Sequence, residues 1–216
     1  MAAVRRLIAG LAILVVASGS ARAEIIDRIL AVVDTQIITL SDVRAALRFG
    51  LVPEDVSLDP TGAVLQRLID RRLMLIEVDR YAPPEPADPA VNASLAAVER
   101  RFKDALAFEI ALTQSGLTRE ELRRQLRDTL RIESYLQQRF STALQVSDDE
   151  VVRYYREHPE DFTRDGQLRS FDDVREIART RVIESQRAAF VRQWVEGLRR
   201  RGAVQLLYLP TAAVNK

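Results

Sequence analysis

RILAVVDTQIITL (residues 28–40) is rich in β-branched and apolar residues, and Asp34-Thr35 interrupts the run near its middle. This pattern predicts a β-hairpin with a short turn at Asp34-Thr35. A second apolar stretch, AVQLLYL (203–209), follows Gly202 near the other end of the sequence. Because an isolated hairpin is marginally stable, we expect these strands to pair into one small antiparallel sheet.

The sequence between the two strand regions has the periodicity of helices. Apolar residues recur there at three-to-four spacing, and the polar residues Ser, Thr and Asp stand at the expected helix starts. Thr118 with Glu121, and Ser147 with Glu150, have the spacing of capping boxes. The predicted helices begin and end at about 41–49, 59–81, 89–115, 118–140, 147–157 and 170–201. The fold class is therefore mainly α, with strands only at the two ends.

The first residues have the pattern of a secretory signal. Arg5 and Arg6 precede an almost purely apolar run of about ten residues, and Ala21-Arg22-Ala23 has the small-residue ending of a cleavage site. The run is shorter than the roughly 20 residues that a membrane span needs. We therefore expect residues 1–23 to be a signal peptide cleaved between Ala23 and Glu24, which leaves no stable membrane span and a periplasmic protein.

The charge balance argues against nucleic-acid binding. Without the predicted signal, 29 basic residues face 31 acidic residues, whereas nucleic-acid-binding domains are usually basic. The cationic run at 199–201 lies at a predicted helix end, where positive charge complements the helix dipole. The sequence contains no cysteine, which excludes disulfides and thiolate metal ligands.

No catalytic, metal or cofactor site is predicted. The sequence contains one histidine and no cysteine, no G-x-S-x-G motif and no phosphate-binding glycine loop. The one histidine, His158, precedes Pro159 at a predicted helix end, where a structural role accounts for it. The acidic groups at 148–150 and 172–173 fall in predicted first helical turns, where they complement the dipole. We therefore expect that the protein is not an enzyme.

Aromatic side chains are the candidate binding residues. Most apolar stripes are expected to form the core, and the sequence does not separate a client-binding face from a core face. Five aromatic residues are candidates for incomplete burial and for contact with an apolar client: Phe102, Phe108, Tyr135, Tyr154 and Tyr155.

The order of the segments resembles that of SurA-type periplasmic chaperones. IIDRILAVVDTQIITLSDV (25–43) resembles their opening hairpin and helix start, LIDRRLMLIEVDR (68–80) their second helix, and SGLTREELRRQLRDTLRIESYLQQRF (115–140) their G-L-T/S-x-E-x-L-R helix. VSDDEVVRYYREHPEDF (146–162) is similar to the family's V-S-x-x-E-V-x-x-Y-Y segment, and 171–209 to its carboxy-terminal return helix and strand. The resemblance covers nearly all of the sequence after the predicted signal.

The resemblance implies a domain organisation with one departure from the family. Residues 24–162 correspond to the amino-terminal helical chaperone domain, and 171–209 to the return that completes its core. Between them, related foldases carry one or two parvulin-type prolyl isomerase domains, whereas here seven residues separate Phe162 from Ser170. An isomerase domain does not fit in this joint at 163–170, so the family's isomerase residues have no counterparts in it.

The resemblance favours an ATP-independent holdase that binds unfolded outer-membrane or exported polypeptides, without nucleic acid or cofactor. The long segment 171–201 is expected to form one wall of the cradle. A dedicated structural or assembly partner, or a permanent homodimer, is the alternative, and the oligomeric state stays open. Prolyl isomerase activity is a second alternative that follows only from the family name.

Overall fold

The computed structural model describes residues 27–53, 58–141 and 145–209. The predicted signal peptide and its cleavage site at Ala23 and Glu24 lie outside the described residues. The described strands are β1 (Ile29–Val33), β2 (Gln36–Thr39), β3 (Thr163–Arg164), β4 (Gln167–Leu168) and β5 (Val204–Leu206). The described helices are α1 (Leu40–Arg48), α2 (Pro60–Tyr81), α3 (Asp88–Glu99), α4 (Ala105–Gln114), α5 (Arg119–Phe140), α6 (Asp148–Glu157) and α7 (Phe171–Arg201), with a 3₁₀ turn at Pro159–Phe162.

The predicted sheet of the two strand regions is confirmed. Its strand order is β2-β1-β5, and both pairings are antiparallel. Asp34, in the turn between β1 and β2, has a φ of 55°, a conformation that Asp adopts more readily than most residues. The inward residues Ala31, Val33 and Ile38 are buried. The mainly α fold class with a small terminal sheet is therefore correct.

The prediction that strands occur only at the two ends is wrong. Strands β3 and β4 form a two-stranded hairpin within the joint between α6 and α7. Asp165 and Gly166 make its turn, with φ values of 53° and 78°. An Asp-Gly pair is the favoured sequence for a two-residue hairpin turn with positive φ at both positions, so the signal was present in the sequence.

Two helix boundaries also differ from the prediction. Thr39, not Ser41, caps α1, because its hydroxyl accepts from the Asp42 N–H and the Asp42 carboxylate accepts from the Thr39 N–H. The segment predicted as one helix at 89–115 is divided into α3 and α4. The Asp104 side chain accepts from the Ala107 N–H and so caps α4, which starts a new helix in mid-segment.

Three groups of buried side chains form the core. The sheet cluster joins buried residues of the sheet, α1 and α2 to Ile132 and Tyr135 of α5 and to Trp194 and Leu198 of α7. The phenylalanine cluster lies between α1, α3, α4 and α5 around Phe49 and Phe108. The distal cluster comprises Val151, Phe162, Val174 and Ala178. Because α7 contributes to the first and third clusters, it extends from the body, which holds the first two clusters, to the α6 hairpin (residues 148–178: α6, the 3₁₀ turn, β3, β4 and the first turns of α7).

Candidate binding groove

A groove of about 870 Å³ lies where α7 passes α2 and α5. Its walls are α2, α5, α7 and residues 51–53. The long carboxy-terminal helix, predicted to form one wall of a client-binding cradle, lines one side of this groove, and the cradle itself stays a prediction. The lining residues are Leu51, Val52, Pro53, Arg67, Asp70, Arg71, Met74, Thr129, Ile132, Glu133, Glu184, Arg187, Ala188, Val191, Arg192, Val195, Glu196 and Arg199.

The deeper part of the groove is apolar. Val52 and Ile132 are buried, and Met74, Val191 and Val195 are partly buried while they still line the groove. Val191 and Val195 stand four residues apart, so they lie one above the other on the same face of α7. An apolar ligand in this groove therefore contacts aliphatic side chains from two or more helices at once.

Charged side chains of both signs surround the apolar part. Five arginines and four carboxylates are among the lining residues. Arg199 joins α7 to α2 through a bidentate pair, with Nε 2.5 Å from Asp70 Oδ1 and Nη2 2.7 Å from Asp70 Oδ2. This hydrogen bonding raises the pKa of Arg199. Arg187 and Arg192 form no salt bridge with the described residues, so their charges face solvent or a ligand.

Arg71 fixes the angle between two walls of the groove. Its Nη1 donates to Thr129 Oγ1 at 2.9 Å, and its Nη2 donates to the Gln125 carbonyl at 2.6 Å. Burial lowers the pKa of Arg71, and the Asp128 carboxylate partly opposes that effect. The guanidinium therefore holds α2 against α5 through neutral oxygens.

An aromatic cluster holds the middle of α7 against the end of α5. The Tyr135 and Trp194 rings lie 5.6 Å apart, and the Phe140 and Phe190 rings are stacked at 6.1 Å. The Arg139 guanidinium lies 5.7 to 5.9 Å from the ring centroids of Tyr135, Phe140 and Trp194. Tyr135, a predicted client-binding residue, is buried in this cluster, and that burial raises its pKa.

Two other predicted client-binding residues lie in the phenylalanine cluster. Phe108 is buried, and Phe102 is partly buried. The ring of Phe102 lies 5.8 Å from that of Phe49 and 5.4 Å from that of Phe108. Arg101 of the same turn donates to the carbonyls of Phe49 and Gly50. These contacts hold the turn between α3 and α4 against the end of α1.

The remaining predicted residues, Tyr154 and Tyr155, lie in the α6 hairpin. Both are partly buried around the distal cluster. The Tyr154 hydroxyl donates to Asp161 at 2.8 Å, and the Tyr155 hydroxyl donates to the Arg169 carbonyl at 2.6 Å. The pKa of Tyr154 is raised, first by burial and then by the bond to Asp161. His158 stacks on Tyr154 at 4.1 Å at the end of α6.

The five predicted client-binding residues are therefore divided among three clusters, and none of them lines the groove. Sequence reasoning missed the groove residues because aliphatic positions such as Val191 and Val195 match core positions. The sequence did contain a partial signal of a surface groove, because these two valines on α7 have the charged neighbours Arg187, Arg192 and Arg199.

Two further observations concern sites of other kinds. Among the described residues, no group of three or more His, Cys, Asp or Glu side chains is placed to hold a metal ion. None of the helices in the described part of the chain combines the length and the apolar character that crossing a membrane requires.

Comparison with known proteins gives one consistent set of relatives. The chain is 30% identical to the chaperone SurA of Bordetella pertussis over 146 residues, which cover 62% of this chain and 27% of the relative. It is 31% identical to the chaperone SurA of Pseudomonas aeruginosa over 144 residues, covering 62% of this chain and 34% of the relative. The chain is SurA-like.

The similarity to SurA covers only part of the length of each relative. The chain matches about a third or less of the length of these curated SurA chaperones. A chaperone SurA of Pseudomonas fluorescens gives the same picture, with 29% identity over 147 residues and 34% of its own length covered. No family model matches the chain. The resemblance to SurA-type chaperones stated from the sequence motifs is nevertheless confirmed, and the matched relatives are all named chaperones.

Proposed function

We propose that this chain is an ATP-independent holdase of the periplasm that binds unfolded outer-membrane or other exported polypeptides in the α2–α5–α7 groove. One observation carries the proposal: a SurA-like chain has an open groove whose deeper lining is aliphatic and whose margin is charged. The periplasmic location rests on the signal pattern of residues 1–23. The domain assignment, with a helical chaperone domain at 24–162 completed by 171–209, belongs to the same proposal.

The groove suits weak and reversible capture. Burial of apolar surface contributes about 25 cal/mol per Å², and a dissociation constant of 1 μM corresponds to about −8 kcal/mol. Micromolar binding therefore requires about 330 Å² of apolar burial beyond the area that offsets the ordering costs of the client. Weak binding permits release without an energy source, which a holdase requires.

The charged margin supports binding without sequence specificity. Arg187 and Arg192 lack ion-pair partners among the described residues, and Glu133 on α5 lies across from them in the lining. A client with acidic or basic residues beside its apolar residues therefore meets a side chain of opposite charge at the margin of the groove. Phe102, Tyr154 and Tyr155 remain proposed secondary contacts, whereas Phe108 and Tyr135 reach a client only when their clusters open.

Suppression of aggregation tests the groove. An outer-membrane β-barrel protein diluted from urea is expected to scatter less light when residues 24–216 are present near equimolar ratio without ATP. Val191→Asp introduces a charge into the aliphatic lining and is expected to weaken client binding by about tenfold. Gln193→Asp is the matched control, because Gln193 is exposed on the same helix and does not line the groove. Equal loss in both variants, or no suppression by the unmodified protein, contradicts the proposal.

A dedicated assembly partner is the second candidate. Leu106 and Ile110 are 69% and 46% exposed, and they stand four residues apart on one face of α4. A permanent partner that covers such a face leaves little surface for a hydrophobic dye. Size-exclusion chromatography with light scattering and dye binding separates the two cases: a free chaperone binds the dye, and a permanent complex does not.

A further inference from the structure

The sheet has two edges, β2 and β5, and no described strand covers the one formed by β5. Strand β5 lies at the end of the order β2-β1-β5. The Asp34 N–H donates to the Ala203 carbonyl at 2.8 Å, and the Leu207 N–H donates to the Leu30 carbonyl at 2.9 Å. Because main-chain groups alternate along an antiparallel strand, residues 203, 205 and 207 face β1. The N–H and C=O groups of Val204 and Leu206 therefore point away from the sheet.

Aliphatic side chains are concentrated around this edge. Val204 and Leu206 are 37% and 50% exposed, although they stand opposite the buried Val33 and Ala31 in the register. Four of the large exposed apolar residues belong to β5 or to the three residues that follow it: Val204, Leu206, Leu207 and Leu209. An apolar segment laid along β5 thus finds aliphatic contacts on either side of the strand.

Strand β5 also lacks the side chains that normally protect an edge, although its length of three residues itself limits pairing. Its sequence is Val-Gln-Leu, with no charged residue and no proline, whereas exposed edges usually carry Lys, Pro or a bulge to prevent pairing with another chain. The irregularity in this sheet lies in the pairing of β1 with β2, on the opposite side from β5. The β5 edge is therefore open to main-chain hydrogen bonding.

We propose that the free edge of β5 binds an extended polypeptide segment with alternating apolar residues, which adds as a fourth strand. Only an extended main chain presents donors and acceptors at the spacing of Val204 and Leu206. A second copy of this chain fits less well, because three-residue strands about 10 Å long bury far less than the roughly 1,200 Å² of a stable dimer. A transient peptide complex needs no such area. This site is separate from the groove and does not depend on it.

A peptide with and without main-chain donors tests the pairing. The probe is a fluorescein-labelled peptide of about ten residues with alternating Val and Thr and a Lys at each end, long enough for a strand. Its matched partner has the same side chains but a methyl group on every internal amide nitrogen. Binding is measured by fluorescence anisotropy, and we expect methylation to weaken it by about tenfold or more. Equal affinity of the two peptides overturns the proposal, because it shows that side chains alone account for binding.

Two variants at one position locate the binding edge. Leu206→Pro removes an outward N–H and places the ring on the open side, while Gln205 and Leu207 keep their bonds to β1. Leu206→Thr also shortens the apolar side chain but retains the N–H. We expect Leu206→Pro to lose peptide affinity by about tenfold and Leu206→Thr to remain within about threefold of the unmodified protein.

Three controls keep the result interpretable. Circular dichroism measures whether both variants fold. If Leu206→Pro does not fold, the comparison of the methylated and unmethylated peptides tests the proposal by itself. Val191→Asp separates the two sites: a loss of peptide affinity in Val191→Asp that folded Leu206→Pro does not show places the peptide in the groove and overturns the proposal. Undiminished binding by folded Leu206→Pro overturns the proposal. So does a wild-type dimer, seen by sedimentation, that Leu206→Pro converts to monomer, because the edge then binds a second copy.

Discussion

Single residues at helix starts determine much of the local structure. Thr118 and Glu121 form a reciprocal capping box: the Glu121 carboxylate accepts from the Thr118 N–H at 2.8 Å, and the Thr118 hydroxyl oxygen accepts from the Glu121 N–H at 3.1 Å. The hydrogen bond from the Thr118 N–H is the main cause that lowers the pKa of Glu121. Ser147 and Glu150 have the same arrangement, with the same effect on the pKa of Glu150. Each carboxylate is therefore stabilised in its ionised form by folding.

The lowered pKa of Glu121 predicts a pH dependence of stability. A group whose pKa falls on folding stabilises the protein above its unfolded pKa, about 4.3 for Glu, and loses that contribution as the pH drops through the folded value. Glu121→Gln keeps an acceptor for the Thr118 N–H but does not titrate. We expect urea midpoints measured from neutral pH to about pH 3 to fall less steeply in Glu121→Gln than in the unmodified protein.

Glu120→Gln is the control for that series. Glu120 is exposed on the same turn and makes no hydrogen bond or salt bridge among the described residues. Its replacement removes a carboxylate from the same turn and leaves the capping hydrogen bonds in place, so the difference between the two variants isolates the capping carboxylate. Identical slopes in Glu121→Gln and the unmodified protein contradict the role assigned to the capping carboxylate.

At the scale of the element, α7 ends at Gly202, where a side chain would collide with α2. A Cβ atom at Gly202 lies 2.5 Å from Leu73 Cδ2 and 3.1 Å from the Leu198 carbonyl oxygen. Leu73 is buried in the sheet cluster, so its side chain has little room to move. Gly197, within the same helix, differs, because a Cβ there meets only the flexible end of Arg201 at 3.3 Å.

Alanine at these two glycines is expected to change stability in opposite directions. Gly202→Ala overpacks the contact with Leu73 and lowers the free energy of unfolding by about 1 to 3 kcal/mol. Gly197→Ala replaces a helix-interior glycine and raises it by about 0.5 to 1 kcal/mol. Urea denaturation of both variants measures the two changes. A stabilising Gly202→Ala shows that Leu73 moves aside without cost.

Elements were predictable from the sequence where their signals are local. The capping boxes at Thr118 and Ser147 and the start of α7 at Ser170 depend on residues within a single turn, and their predictions are confirmed. The division at Asp104 was missed because a cap competes with continuous apolar periodicity. The groove could not be predicted from local sequence, because whether Val191 faces a core or a cavity depends on the angle at which α7 crosses α2 and α5.

At the scale of the whole molecule, the body and the α6 hairpin differ in the number of buried residues that form their cores. The sheet cluster contains 17 buried residues, and the distal cluster contains four. Helix α7 connects them as a rod about 46 Å long. The α6 end is held by the distal cluster and by a few polar contacts, in which Arg179 donates to the Val146 carbonyl and Gln186 donates to Glu150.

This difference predicts uneven protection from hydrogen exchange along one continuous helix. Regions with few buried contacts open locally at lower free energy than the global unfolding. Amides of α7 near Val174 and Ala178 are therefore expected to exchange before those near Trp194 and Leu198, and α6 is expected to exchange together with the earlier group. Mass spectrometry of peptic fragments resolves these segments. Uniform protection along α7 contradicts a separately opening hairpin.

Because β1 pairs with β5, the sheet is completed only after nearly the whole chain has been synthesised. Val33 and Val204 are register partners although 170 residues lie between them in the sequence. At a synthesis rate of about 5 to 20 residues per second, the first strand exists for roughly 10 to 30 s before its partner has been made. During that interval the apolar face of the newborn hairpin lacks both β5 and the last wall of the groove. A protein proposed to bind unfolded chains is therefore itself an incompletely folded chain with exposed apolar surface until β5 has been synthesised.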